Sequence, residues 1–167
     1  MLEIMKKISF TIAFLLLIST FAKAQSSRNE LKINVLGAVT GLPDLSYERL
    51  LNKSTSVGIS LAKGIDGNHT TEFQLLAITY YRLYFGRKEA NGFFIEGNAA
   101  VAYGQERKPG HESDNKETKF GLGLSVGYKV VTQRNFLVEL NLGAGKYFNG
   151  NDVIDYPRVG ISLGKRF

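Results

Sequence analysis

From residue 31 onward the chain alternates between apolar and polar positions with a period of two and shows almost no helical periodicity. Eight alternating segments, about 31–39, 44–51, 54–63, 72–85, 92–104, 117–130, 134–146 and 157–167, are each bounded by turn-forming residues and predict eight strands. Gln25 to Glu30 is a short polar lead-in. The phase is the informative part. In 72–85 the odd positions are Phe73, Leu75, Ala77, Thr79, Tyr81, Leu83 and Phe85, and the even ones include Glu72, Gln74, Tyr80 and Arg82. In 117–130 Phe120, Leu122, Leu124, Val126, Tyr128 and Val130 oppose Lys119, Gly121, Gly123, Ser125, Gly127 and Lys129. The last segment sets Val159, Ile161, Leu163 and Phe167 against Arg158, Gly160, Ser162, Gly164 and Arg166.

One face is therefore bulky and apolar, and the other combines small residues with charge. Small residues suit a crowded concave interior in which a few long charged chains must also fit. The apolar face then points outward. This is the inverted pattern of an all-β, eight-stranded antiparallel up-and-down transmembrane β-barrel, in which closure pairs every backbone group. A soluble periplasmic barrel holding an apolar ligand inside is the competing reading, and it requires the opposite phase.

The aromatics and the connections fit the membrane reading. Outward Phe85, Phe93, Tyr128, Phe136 and Phe167 are expected at one rim, and Tyr47, Phe73, Tyr103 and Phe120 at the other. Short connections (52–53, 86–91, 131–133) alternate with longer ones (64–71, 105–116, 147–156), with 40–43 as a short exception. Outward Arg49 and Lys165 run against the pattern, but both lie near a rim, where long side chains reach headgroups.

Ahead of the strands, basic Lys6-Lys7, an apolar run from Ile8 to Phe21 and Ala22-Lys23-Ala24 predict a secretory signal peptide over 1–24, cleaved before Gln25. Residues 25–167 form the barrel domain, with both ends expected on the periplasmic side of the outer membrane. Composition narrows the chemistry. With no Cys there is no disulfide framework, thiolate metal site or Cys nucleophile, and two histidines, His69 and His111, are too few for a multi-histidine site. No cofactor or metal is expected. Removing Lys6, Lys7, Lys23 and Glu3 with the leader takes the formal charge from +6 to +4, with no basic stripe between stacking aromatics, so nucleic acid is not an expected partner.

Lys32-Ile33-Asn34-Val35-Leu36, Gly41-Leu42-Pro43-Asp44-Leu45-Ser46-Tyr47-Glu48, Tyr80-Tyr81-Arg82-Leu83-Tyr84-Phe85 and Gly92-Phe93-Phe94-Ile95, taken in order, resemble the small OmpA/OmpX-like outer-membrane β-barrels of Gram-negative bacteria, in their functionally uncharacterised branch. The resemblance covers essentially the whole chain after the leader. It implies contact with outer-membrane lipid and lipopolysaccharide. It also implies that the C-terminal Val159, Gly160, Ile161, Leu163 and Phe167 are the signal presented to the barrel-insertion machinery.

Candidate chemistry is sparse. Gly123-Leu124-Ser125-Val126-Gly127 and Gly160-Ile161-Ser162-Leu163-Gly164 match the nucleophile-elbow spelling, but both lie inside alternating strands with no helix to follow. Gly143-Ala144-Gly145-Lys146 lacks the Ser/Thr and the first Gly of a phosphate-binding loop. His111, Glu112 and Ser113 share the charged 105–116 connection, read as a mobile solvated loop. An outer-membrane lipid-modifying hydrolase would need a Ser and a His converging at the outer rim. The strongest constellation is the set of inward charges. Glu48, Arg82, Glu96 and Glu139 share one phase and a similar height, with Arg82 opposite Glu96 if the intervening turn closes symmetrically. Charges in a narrow barrel must pair. A plug of these four, joined by Lys129 or Arg166, is expected. The expected role is non-enzymatic, structural or interactive, with 105–116 and 147–156 as contact loops.

Overall fold

The structure, a computed structural model, describes residues 27–64, 75–108, 111–148 and 156–167, with side chains throughout except over 105–108 and 111–117. It is a closed antiparallel barrel of β1 (Asn29–Asn34), β2 (Asp44–Leu50), β3 (Thr55–Lys63), β4 (Leu75–Tyr84), β5 (Gly92–Lys108), β6 (His111–Val131), β7 (Phe136–Tyr147) and β8 (Tyr156–Arg166), each hydrogen-bonded to its sequence neighbours, with β8 closing on β1. Glu30↔Arg166 and Asn34↔Ser162 mark the closing register, and Asn29 and Phe167 exchange backbone hydrogen bonds at the shared end of the termini. The all-β, eight-stranded antiparallel closed barrel read from the alternation is the one observed, and so is its phase. Leu31, Ile33, Leu45, Leu61, Leu122, Leu142 and Ile161 point out of the barrel, and the charged and small residues point in. Register is strongly specified, because a one-residue slip of any strand would exchange its two faces.

Glycines on the inner face seat the large inward side chains. An added Cβ would come within 2.3 Å of the Tyr80 ring at Gly58, 2.3 Å of the Phe94 ring at Gly127 and 2.0 Å of the Tyr156 ring at Gly145. The small-and-charged face is thus a packing solution, in which each ring fills the space its neighbour leaves.

The structure corrects four details. The first strand, expected to run to residue 39, ends at Asn34, and Val35–Val39 is a short helix, α1. Asn34 causes the change. Its side-chain oxygen accepts from Gly37 N (3.1 Å), capping the helix, and from Ile161 N (3.2 Å), while its amide donates to Val159 O (3.4 Å). A side chain that satisfies helix and sheet donors together overrides the strand-like spelling Val-Leu-Gly-Ala-Val. Asn34→Ala is expected to cost about 1–2 kcal/mol and to speed amide exchange at Gly37 and Ile161. Unchanged exchange at both would refute the capping role.

The 105–116 segment is not a free loop. β5 and β6 stay paired through Gln105↔Lys116 to Lys108↔His111, with a register shift between Gln105 and Arg107. Backbone pairing does not need apolar side chains, so charge alone misled the reading. Tyr147 and Tyr156, expected in a connection, belong to β7 and β8. Their rings lie inside the barrel 5.0 Å apart, and residues 149–155 of that connection lie outside the described residues. Finally, the Tyr47 hydroxyl donates to Asn29 Oδ1 (2.9 Å), which ties it to the end carrying the termini and not to the opposite rim. Phe73 lies outside the described residues.

Candidate functional site

The lumen is filled by side chains in three layers. At the end carrying the termini, Leu50, Tyr84, Ala90 and Phe94 form an apolar cluster. The 85–91 turn folds beneath it, with Ala90 N donating to Lys53 O (2.8 Å) and the Ala90 carbonyl accepting from Arg166 (3.1 Å). At the opposite end Ala62, Leu76, Ile78, Ala100, Ala102, Tyr147 and Tyr156 form a second cluster, and Leu42 packs against it.

Between them lies a network of charge. Among the described residues, five acidic side chains (Glu30, Asp44, Glu48, Glu96, Glu139) and five basic ones (Lys32, Arg82, Lys129, Arg158, Arg166) are buried, so the lumen is formally neutral. Glu48, on β2, is the hub. It accepts from Lys32 (2.5 Å), Arg82 (2.9 Å), Lys129 (2.8 Å), Ser56 (2.6 Å) and Tyr84 (2.6 Å). Arg82, on β4, spreads its fork over three carboxylates: Nη1 reaches Glu48 (2.9 Å) and Glu139 (2.7 Å), and Nε and Nη2 reach Glu96 (2.8 and 2.7 Å). Its guanidinium lies between the Tyr80 and Phe94 rings, 4.4 and 4.3 Å from their centroids. Three strands supply carboxylates to one planar cation, a geometry that suits Arg and not Lys.

Arg82 and Glu96 are Cα partners, as symmetric closure of the turn requires. Glu48, Glu139 and Lys129 join them. Arg166 does not touch Arg82's carboxylates. It binds Glu30 (2.6 Å), and Lys129 bridges Glu30 (2.6 Å) to Glu48. On the far side Arg158 links Glu96 (3.1 Å) to Asp44 (3.5 Å), and Ser60 also donates to Asp44.

Glu30, Lys32, Asp44 and Arg158 were not among the expected members of the plug. Lys32 shares the inward phase of Asn34, and Arg158 that of Arg166, so the same alternation marks both. Glu30 sits just before the first apolar residue of its strand, where the alternation alone makes it part of the polar lead-in.

Each carboxylate faces a cation, which opposes a proton-accepting role, and among the described residues no three Asp, Glu or His side chains form a metal-ligand set. Ser125 and Ser162 of the two Gly-x-Ser-x-Gly segments are buried in β6 and β8, inside strands and away from any turn. Val159, Ile161, Leu163 and Phe167 are exposed on the outside, and Gly160 points inward beside Asn34. His111, Glu112 and Ser113 lie on β6, in the portion described by backbone alone.

The outer face has its own charge rule. Among strand residues with described side chains, the outward charges are Arg49, Lys63, Lys146 and Lys165, each the last or next-to-last residue of its strand, and no carboxylate points outward. Lys165 lies over the Phe136 ring at 5.6 Å.

No curated protein and no solved structure matches the chain. A family model does: "Protein of unknown function (DUF3575)" matches residues 10–162, and over that length the chain belongs to the DUF3575 family.

Proposed function

We propose that this protein is an integral outer-membrane β-barrel, exported by its leader, that acts without catalysis as a membrane-embedded scaffold with a plugged lumen. One observation carries the reading: the barrel is inside out for water. Among the described residues, ten buried charges occupy the lumen, bulky apolar side chains cover the outside, and the outward charges of the strands are cations at strand ends, where lipid phosphates would meet them. A water-soluble barrel has no reason to hide five ion-paired carboxylates while exposing Leu, Ile and Phe on every strand. No helix among the described residues is long and apolar enough to cross a membrane, so any crossing falls to the strands. The paired lumen charges argue against a conducting pore. The OmpA/OmpX-like resemblance, contact with lipopolysaccharide and assembly through the C-terminal strand belong to the same proposal.

The test is fractionation followed by gel electrophoresis with and without boiling. The expected result is a chain that stays in the outer-membrane fraction, needs detergent for extraction and migrates faster unboiled. A chain released by osmotic shock and soluble in buffer would overturn the proposal.

A further inference from the structure

We infer that the outer face of β2–β6 carries a groove for one acyl chain of a glycerophospholipid, with Arg49 as its headgroup contact. The inference rests on the membrane reading above and names a partner for it.

The groove has a volume of about 930 Å³ and runs across the strands. Its floor is made by small outward residues where neighbouring positions are bulky. Gly97 and Ala99 on β5 and Thr79 on β4 lie between Tyr81, Ile59 and Leu124. A Cβ added at Gly97 would meet nothing within 4 Å, so the depression is open and is not filled by the barrel's own atoms. Thr79 turns its hydroxyl to the Ala99 carbonyl (3.4 Å), which leaves its methyl group to the groove.

The register gives the groove a direction. Arg49, Val57, Tyr81, Gly97 and Leu124 are successive Cα partners across five strands. Arg49 is the penultimate residue of β2, at the end that carries the termini, whereas Leu124 lies mid-strand in β6. Barrel strands tilt, so this row climbs from rim to mid-barrel. Four interstrand spacings of about 4.8 Å span roughly 19 Å, the reach of an extended acyl chain of ordinary membrane length.

The charge at the lower end selects the occupant. Arg49's only polar partner among the described residues is Asn29 Oδ1, at 3.3 Å, so most of its five donors are free for a phosphate. Tyr47, which also lines the groove, shares that Asn29 oxygen. An apolar channel headed by an exposed guanidinium complements an anionic headgroup with a hydrocarbon tail. The termini face the periplasm in the membrane reading, so the lipid is a phospholipid of the inner leaflet.

The test uses the folded full-length mature chain in detergent, mixed with palmitoyl-oleoyl phosphatidylglycerol and read by native mass spectrometry. Wild type is expected to retain one lipid per barrel. Gly97→Leu, which fills the floor, should lower retention at least tenfold, and Ala99→Leu serves if Gly97→Leu loses its heat-modifiable band. Arg49→Gln should lower retention severalfold, and Val138→Leu, elsewhere on the outer face, should leave it unchanged. Equal retention by all variants would overturn the groove and leave the membrane reading standing. So would a dimer in wild type that Gly97→Leu abolishes, since the occupant would then be a second copy. A chain that stays in solution without detergent would overturn both.

Discussion

Arg82→Ala is expected to destabilise the barrel by about 3–5 kcal/mol, the usual cost of removing one partner from a buried ionic network. The substitution strips a cation from Glu48, Glu96 and Glu139 together and turns a neutral lumen into one with an excess carboxylate. Lys32, Lys129 and Arg158 still reach these acids, so the network is weakened and not abolished. Arg82→Lys should recover only part of the loss. A single ammonium cannot span three carboxylates from three strands or fill the space between the Tyr80 and Phe94 rings. The double change Arg82→Leu with Glu96→Leu should be milder than Arg82→Ala alone, because it removes one charge of each sign and leaves apolar volume behind. The measurement is the temperature at which the fast-migrating unboiled band disappears, with the urea midpoint in micelles beside it. An unchanged midpoint in Arg82→Ala would mean that the network carries no stability.

The benefit of such a network lies in specificity as much as in stability. An apolar lumen of similar volume would tolerate several registers, whereas five acids and five bases on seven of the eight strands pair well in one. The network and the outward apolar face therefore demand the same register.

Most of this was legible in the chain. Period-two alternation states which side chains share a face, and a short hairpin turn states which residues oppose each other. Arg82 opposite Glu96 follows from those two rules alone. The failures have local physical causes. Asn34 reads as an ordinary inward strand residue until Ile161, far along the chain, supplies the second donor that makes it a hinge. Leu42 reads as turn until the lumen offers Leu76 and Ile78 to cover. Glu30 reads as lead-in because the apolar signal begins one residue later, although Lys129 and Arg166 hold it from the opposite side of the closing seam. Each needs a partner distant in sequence, which alternation cannot supply. Arg49 and Lys165 are visible in the alternation as exceptions near a rim. That Lys63 and Lys146 follow the same rule needs the strand boundaries.

Leu142→Arg is expected to separate water from lipid as the surroundings of the outer face. Leu142 lies mid-strand in β7, points outward and is 64% exposed. In water, replacing an exposed Leu by Arg would change stability by no more than about 0.5 kcal/mol. At the middle of a bilayer the same change costs about 2–4 kcal/mol, falling to roughly 0–1 near the interface. Val130→Arg supplies the near-interface arm, since Val130 points outward beside the last residue of β6. The expected result, from unfolding equilibria in phosphatidylcholine vesicles, is a large loss for Leu142→Arg and a small one for Val130→Arg. That depth dependence cannot come from packing, because neither side chain is buried in the barrel. Two equal and negligible losses would place the outer face in water. The exposed Leu, Ile and Phe of all eight strands would then need a protein partner to cover them.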